Sequence, residues 1–256
     1  MTPPVWRVIG AAVPGTAHRA RDLGCQDAFG YRVLPNGALV IAIADGAGSA
    51  EHAADGARGA IDCALVFLES ALTEQSPADD AAWFAVMRDA FCAARDAINQ
   101  LGAHAQLPVR AFATTLTCAI LIADRLIVAQ LGDGAVVAQT LNGTYFLAAT
   151  PQRGEYANEA YLLSMPDALE QIAVTIFDLP LAALAVMTDG LLRLALQLPG
   201  YQPFPKFFEP LFAFAAEASD ANASAELAAF LDSERVCART DDDKTLVLVA
   251  RVENRA

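Results

Sequence analysis

Three short apolar runs at the start of the chain predict β-strands. They cover residues 5–13, 27–34 and 38–45, and each is rich in valine, isoleucine, alanine or aromatic side chains. The segment 35–37, Pro-Asn-Gly, supplies turn chemistry between the second and third runs. We therefore expect these two strands to form a hairpin.

Helical periodicity follows the hairpin. Apolar residues recur every three or four positions over 53–68 and again over 83–101, which predicts two amphipathic helices. Ser76 and Pro77 are expected to cap and open the second helix, and Gly102 is expected to close it.

Beyond Pro108 the chain returns to strand-like runs separated by Ala-Asp, Asp-Gly and Asn-Gly turns, a pattern typical of an antiparallel meander. Residues 150–166 carry prolines, glycine and mixed polar residues, and they form the longest candidate loop. Two more strands precede helical material over 190–231, which the proline-rich segment 201–210 is expected to break. A final strand is expected at 245–252.

The order of these elements indicates an α+β fold. Strands come first, helices follow in paired blocks and strands return, which favours two packed sheets with helices outside them. We expect a β-sandwich of two mainly antiparallel sheets flanked by paired helices, with four layers in the order αββα. Residues 1–256 are expected to form a single domain, because no composition shift or internal repeat marks a seam.

Composition argues against several classes of protein. Hydrophobic residues make up 55% of the 256 positions, yet no uninterrupted apolar run reaches the roughly 18 residues of a membrane span. The first residues lack a basic region followed by a long apolar segment, so we expect a cytoplasmic protein without membrane association. Five widely spaced cysteines argue against a disulfide framework, and the net charge of −13 argues against a nucleic-acid partner.

Aspartates at the ends of predicted strands are the main candidate functional residues. Asp45, Asp133 and Asp189 each close an apolar run, and Asp242 precedes the last one. Because strand ends are rigid, carboxylates on them can converge on one point, where like charges repel unless a cation lies among them. This pattern predicts a divalent metal site.

Glycine follows three of these aspartates directly. An Asp-Gly pair is weak evidence alone because it is a common turn former, and Asp55-Gly56 lies in a helical pattern. The set of three behind buried-looking strands is more informative. Glycine lets a backbone carbonyl approach an ion closely, and magnesium and manganese prefer oxygen ligands.

An ordered series of motifs resembles the metal-dependent protein phosphatases, also called the type 2C or PPM family. The motifs are GCQDAF with Asp27, IADGAGSA with Asp45 and Gly46, LIVAQLGDGAV with Asp133, MTDGL with Asp189, and TDDDKTLVLV with Asp242. They span nearly the whole chain in the family's order. Segments 15–18, 25–28 and 154–163 are similar to the bacterial branch of the family.

The resemblance implies a metal site with Mn²⁺ or Mg²⁺ as cofactor. Two ions are expected among the catalytic residues Asp45, Asp189 and Asp242 and the carbonyl of Gly46, and a third, weaker ion at Asp133. Asp27 is expected to hold metal-bound water or the second ion. Since the metals would generate the water nucleophile, no serine, cysteine or histidine nucleophile is required.

Two positions depart from the family's pattern. Asp22 stands where many members carry a phosphate-binding arginine, so Arg19 and Arg21 are the candidate phosphate ligands, with a solvated surface role as the alternative. Ala47 stands where eukaryotic relatives carry a histidine that protonates the leaving alcohol. His18 is the candidate catalytic acid, and a structural hydrogen bond or a metal-bound water are the alternatives.

The implied function is hydrolysis of phosphoserine and phosphothreonine in proteins, with a phosphoprotein substrate and an opposing serine/threonine kinase as partners. Residues 150–170 fall where the family carries a variable flap, and they are expected to select the substrate. Two alternatives remain open: a phosphatase-like binding module with little or no turnover, and an unrelated divalent-metal phosphoesterase. The complete set of aspartates counts against the first, and histidines lying outside the aspartate motifs count against the second.

Overall fold

The structure is a computed structural model that describes residues 4–74, 76–152, 160–218 and 222–252. Its strands are β1 (Val5–Val13), β2 (Ala28–Val33), β3 (Leu39–Ala44), β4 (Leu116–Ile122), β5 (Arg125–Leu131), β6 (Ala135–Thr140), β7 (Tyr145–Ala149), β8 (Ala173–Asp178), β9 (Leu181–Met187), β10 (Leu196–Gln197), β11 (Gln202–Pro203) and β12 (Lys244–Val252). Its helices are α1 (Thr16–Arg19), α2 (Ala53–Glu74), α3 (Asp80–Ala105), α4 (Leu192–Ala195), α5 (Pro205–Glu217), α6 (Ala223–Leu231) and α7 (Glu234–Cys237).

Two five-stranded sheets pack face to face. One has the strand order β1-β12-β9-β6-β7 and the other has the order β2-β3-β4-β5-β8. Every pairing between the described strands is antiparallel, and β10 and β11 form a separate small hairpin. Helices α2 and α3 cover the second sheet, and α5 and α6 cover the first. The expected α+β sandwich with its αββα layers is confirmed.

Strand β3 explains why the strands appear as continuous apolar runs. Leu39, Ile41 and Ile43 pack in the core between the two sheets, whereas Val40 and Ala42 pack in the core beneath α2 and α3. All the residues of this strand are buried. Because a second sheet covers one face and helices cover the other, both faces are apolar and the strand ends are held rigidly.

Helix α3 begins and ends at residues that the sequence pattern did not indicate. The carboxylate of Asp79 accepts the Ala82 N–H at 2.8 Å, so Asp79 is the N-cap and the prediction for Ser76 and Pro77 is wrong. Gly102 is buried within the helix, which continues to Ala105. The prediction that Gly102 closes the helix is therefore also wrong.

The meander and the proline-rich break need correction as well. Strands β5 and β6 belong to different sheets, so the expected meander is two hairpins joined by a crossing. The helical material over 190–231 is interrupted by the β10–β11 hairpin. Pro205 opens α5, where its missing N–H would be unpaired in any case, and Pro210 lies inside that helix.

Candidate metal centre

Strand register brings the candidate aspartates to one end of the sandwich. Ala28, at the start of β2, is paired with Ala44, at the end of β3. Asp27 and Asp45 are the next residues beyond that pair, so they lie at the same end of this sheet. The β5–β6 connection, which contains Asp133, crosses to the other sheet at the same end.

The second sheet contributes its aspartates at the same end. Met187, at the end of β9, is paired with Ala135 at the start of β6 and with Leu246 near the start of β12. Asp189 therefore follows β9 where Asp242 precedes β12. Each of these aspartates lies where a strand ends or where the chain crosses between the sheets. The backbone is rigid at such positions, so the carboxylates are held at one end of the sandwich.

Three carboxylates form the centre of this cluster. Asp45, Asp133 and Asp189 each offer one oxygen, and these oxygens all lie within 4.8 Å of one another. The backbone of Asp45 is fixed by β4: its N–H donates to Thr115 Oγ1 at 2.9 Å, and its carbonyl accepts from Thr114 Oγ1 at 2.9 Å. The spacing allows one small cation to contact all three side chains.

The electrostatic state of the cluster shows how strongly the carboxylates affect one another. Desolvation and the charges of Asp27, Asp189, Asp133 and Asp242 raise the pKa of Asp45 well above its usual range. Desolvation, together with Asp133 and Asp242, raises the pKa of Asp189 to about 8. The pKa of Asp27 rises to about 7, mainly through desolvation. Each ionised carboxylate is therefore costly here without a nearby cation.

The donor set fits a divalent metal ion. Asp133 Oδ1 is buried and has no hydrogen-bond partner among the described residues. A buried carboxylate oxygen without a donor carries a desolvation cost that a cation would offset. Carboxylate and carbonyl oxygens are the ligands that magnesium and manganese prefer.

Asp27 is tied to the segment that precedes Asp189. The hydroxyl of Thr188 donates to Asp27 Oδ2 at 2.7 Å. The same hydroxyl oxygen accepts the Thr245 N–H at 3.1 Å. Thr188 thus joins strands β9 and β12 to the residue that precedes β2, and it sets the position of Asp27 relative to the other carboxylates.

Asp243 connects the final strand to the first part of the chain, whereas Asp242 beside it is exposed. Asp243 is 2% exposed and accepts the Gly15 N–H at 2.6 Å and the Gln26 N–H at 2.6 Å. Its Oδ1 also lies 2.8 Å from His18 Nδ1. These contacts order the GTAH and GCQD segments around the site.

Gly46 and Gly190 are sites of close backbone approach. A Cβ on Gly46 would lie 2.7 Å from the Ala53 carbonyl oxygen, and Gly46 forms a β-bridge with Thr114. A Cβ on Gly190 would overlap the Asp243 carbonyl oxygen. Only glycine allows these segments to pack as they do.

Gly190→Ala is expected to lower the free energy of unfolding by about 3 kcal/mol, because the new methyl group must displace the backbone of Asp243. Urea denaturation followed by circular dichroism measures the change. Gly48→Ala is the matched control, since a Cβ there meets nothing within 4 Å. Equal stability of the two variants would contradict the close contact.

The candidate phosphate-binding arginines lie outside the carboxylate cluster. The Arg19 guanidinium donates to Asp232 and, at 3.0 Å, to the Pro14 carbonyl. Arg21 has an exposed side chain, with no contact to the aspartates among the described residues. The structure does not bring either arginine to the carboxylates, and their phosphate-binding role stays a prediction. His18 is buried, as its contact with Asp243 requires.

The expected flap is described only in part, since residues 153–159 lie outside the described residues. On one side of them, Gln152 makes two hydrogen bonds with Gly132. The backbone N–H of Gln152 donates to the Gly132 carbonyl at 3.1 Å, and the side-chain Oε1 of Gln152 accepts the Gly132 N–H at 2.8 Å. On the other side, the Leu163 N–H donates to the Thr114 carbonyl at 2.9 Å. Both contacts are next to residues of the carboxylate cluster, and substrate selection by residues 150–170 stays a prediction.

Sequence reasoning did not identify the residues that hold the carboxylates in place. Thr114, Thr115 and Thr188 bond the aspartates or their backbone, and Asp243 was not among the candidate residues. Threonines beside aspartates at strand ends are a signal, but threonine is also common in strands for its β-propensity. The hydrogen-bonding role of these threonines can therefore be recognised only when the three-dimensional structure shows which aspartate each one contacts.

Comparison with known proteins agrees with the fold and identifies the family. A family model for Protein phosphatase 2C matches residues 14–232. The chain is 33% identical to serine/threonine-protein phosphatase 3 of Escherichia coli (strain K12) over 257 residues, or 97% of this chain and 99% of that protein.

Two solved structures share the fold. A bacterial serine phosphatase has a TM-score of 0.67 and 14% identity, with 97% of this chain and 99% of that chain covered. The serine/threonine phosphatase of S. agalactiae has a TM-score of 0.65 and 16% identity, with 97% and 100% covered. Among the helices of the described residues, none is both long enough and apolar enough to cross a bilayer.

The two-sheet fold and an acidic centre at one end of it define the class of metal-dependent phosphatases. The chain belongs to the protein phosphatase 2C family. It is a metal-dependent serine/threonine protein phosphatase, a hydrolase of phosphoric monoesters, and the resemblance to the bacterial branch is confirmed.

Proposed function

We propose that two divalent ions bind in this protein among Asp45, Asp189, Asp242 and the carbonyl of Gly46, with a third and weaker ion at Asp133. The observation that carries the proposal is the convergence of carboxylate oxygens from Asp45, Asp133 and Asp189 to within 4.8 Å of one another. Manganese or magnesium suits these oxygen ligands. The raised pKa values of Asp45 and Asp189 indicate that charge there needs compensation.

The chemistry divides between the ions and the chain. When bound, divalent ions activate a water molecule as nucleophile and neutralise charge on the phosphoryl oxygens. Asp45, Asp189 and Asp242 hold the ions at fixed positions, and Asp27 accepts hydrogen bonds beside them. Phosphoryl transfer demands mainly positioning and charge neutralisation, which this rigid strand-end arrangement supplies.

His18 is proposed as the proton donor to the leaving serine or threonine oxygen. Asp243 Oδ1, 2.8 Å from Nδ1, fixes the orientation of the ring. Nε2 then remains as the atom that would deliver the proton. This assignment rests on the buried position of His18 beside the segment that carries Asp27.

The biological setting follows from the reaction. A protein phosphatase acts on phosphoproteins, so we propose an opposing serine/threonine kinase and a cytoplasmic location where both act. For Arg19 to bind a substrate phosphate, its guanidinium would exchange Asp232 for that phosphate. Arg21 is already exposed and would reach a substrate without breaking an ion pair in the described part of the chain.

Metal dependence is the direct test of this function. Mn²⁺ is expected to support hydrolysis of a phosphothreonine peptide and of p-nitrophenyl phosphate, and excess EDTA is expected to abolish both until Mn²⁺ is restored. Colorimetric phosphate release measures the rate. Full activity in EDTA would exclude the metal site as the catalyst.

Substrate comparison separates this function from the alternatives. A phosphodiester, bis(p-nitrophenyl) phosphate, is expected to be hydrolysed far more slowly than the phosphothreonine peptide. Preference for the diester would favour an unrelated phosphoesterase. Tight binding of the phosphopeptide with no turnover in Mn²⁺ would favour a binding module.

A further inference from the structure

A cavity of about 560 Å³ lies apart from the carboxylate cluster, between the segment after Asp189 and helices α5 to α7. Its walls come from α4, β10, α5 and the α6–α7 region. Among the described residues that line it, none is one of the aspartates of the metal centre. Its volume falls within the range of small-molecule sites, about 300 to 1,000 Å³.

The rim of this cavity carries an unusual concentration of positive charge. Arg193, Lys206, Arg235 and Arg239 all line it, which is four of the 17 lysines and arginines in a chain of net charge −13. Among the described residues that line the cavity, none is acidic. All four side chains are exposed, and none makes an ion pair within the described part of the chain.

The floor of the cavity is apolar. Leu196 and Phe207 line it and are buried, at 4% and 9% exposure, and Leu211 and Val236 lie beside them at 7% and 1%. These residues belong to the core that holds α5, α6 and α7 against the first sheet. The apolar floor is therefore rigid.

Rim and floor together specify the chemistry of a ligand. Arginine and lysine bind carboxylate or phosphate groups through charge-assisted hydrogen bonds, and the floor favours an apolar body. We propose that this cavity binds a small amphipathic anion, in which a carboxylate or phosphate head sits at the rim and an apolar body fills the floor. The proposal does not depend on the roles assigned to the aspartates.

Dodecanoate is the probe for this site, used below its micelle concentration with the full chain in EDTA. Isothermal titration calorimetry is expected to show saturable binding with one molecule per chain. Dodecyltrimethylammonium, which has the same tail and the opposite charge, and acetate, which lacks the tail, are expected not to bind. Octanoate is expected to bind about a hundredfold more weakly, because four buried methylenes are lost.

Variants of the rim test the role of the cations. The double variant Arg235→Gln/Arg239→Gln is expected to lower dodecanoate affinity about a hundredfold, or about tenfold for each lost charge-assisted hydrogen bond. Arg88→Gln is the matched control, because Arg88 is exposed on α3 and does not line the cavity. The control is expected to bind dodecanoate like the parent chain.

Dodecylphosphonate and vesicles of dioleoylphosphatidylglycerol distinguish the sources of such an anion. The free phosphonate is expected to compete with dodecanoate, whereas vesicles alone are not expected to retain the protein. The proposal is overturned if no probe saturates, if the cationic analogue binds equally, if the double variant keeps its affinity, or if only vesicles bind.

Discussion

Asp45→Asn is expected to lower kcat/KM for a phosphothreonine peptide in Mn²⁺ by about a thousandfold or more. Asp45 belongs to the cluster of three carboxylates, and in the proposed metal site the loss of its charge would weaken binding of divalent ions that supply several kcal/mol of charge stabilisation. Steady-state phosphate release measures the effect. In EDTA the same variant is expected to melt at a higher temperature than the parent chain, since one of several repelling carboxylates has been neutralised.

Asp55→Asn is the matched control for this substitution. Asp55 also precedes a glycine, but it lies on α2 and is not part of the carboxylate cluster. Its activity in Mn²⁺ and its melting temperature in EDTA are expected to stay close to those of the parent chain. If Asp45→Asn kept full activity, or if both variants lost it equally, a metal site at Asp45 would be excluded.

Stability of the metal-free protein is expected to fall as pH rises from 5 to 8, with a drop in melting temperature of roughly 10 °C. In the folded state the pKa of Asp27 is raised from 3.8 to about 7 and that of Asp189 to about 8, both first of all by desolvation. Between the unfolded and folded pKa values the native state binds more protons than the unfolded state. The stabilisation is therefore complete below about pH 4 and is lost as pH rises through 7 to 8.

Manganese is expected to reverse this pH dependence. At pH 8 the ionised carboxylates bind the cation only in the folded state, so added Mn²⁺ raises the melting temperature most where the metal-free protein is weakest. Differential scanning calorimetry in EDTA and in Mn²⁺ gives both curves. Asp189→Asn is expected to flatten the EDTA curve, whereas Asp55→Asn keeps it. A metal-free melting temperature that rises from pH 5 to 8 would contradict the raised pKa values.

Aspartates at strand ends were the part of the site most accessible from sequence. Asp45, Asp133 and Asp189 end continuous apolar runs. Such a run forms a strand that is buried on both faces, and the strand ends where the packing against its neighbours ends. Local pattern is enough to find such positions. It does not show which sheet each strand joins, so the crossing between β5 and β6 at Asp133 was mistaken for an ordinary hairpin turn.

Contacts between distant parts of the chain could not be derived from local pattern. The bond between Asp243 and the Gly15 N–H joins residues 228 positions apart, and the bond from Thr188 to Asp27 spans 161. Helix ends were missed for a different reason. Ser76-Pro77 and Asp79 are both good starts for a helix, and the choice between them depends on where α3 packs.

Strand β12 lies between β1 and β9, although it follows both in the chain. During synthesis on the ribosome, Asp27, Asp45, Asp133 and Asp189 all emerge well before this strand does. Until it inserts, β1 has no strand partner in its sheet, β9 is paired only with β6, and neither Asp242 nor the Asp243 contacts exist. A polypeptide that stops short of β12 would thus lack both the strand that pairs with β1 and the Asp243 contacts that order the GTAH and GCQD segments, and we expect it to be inactive.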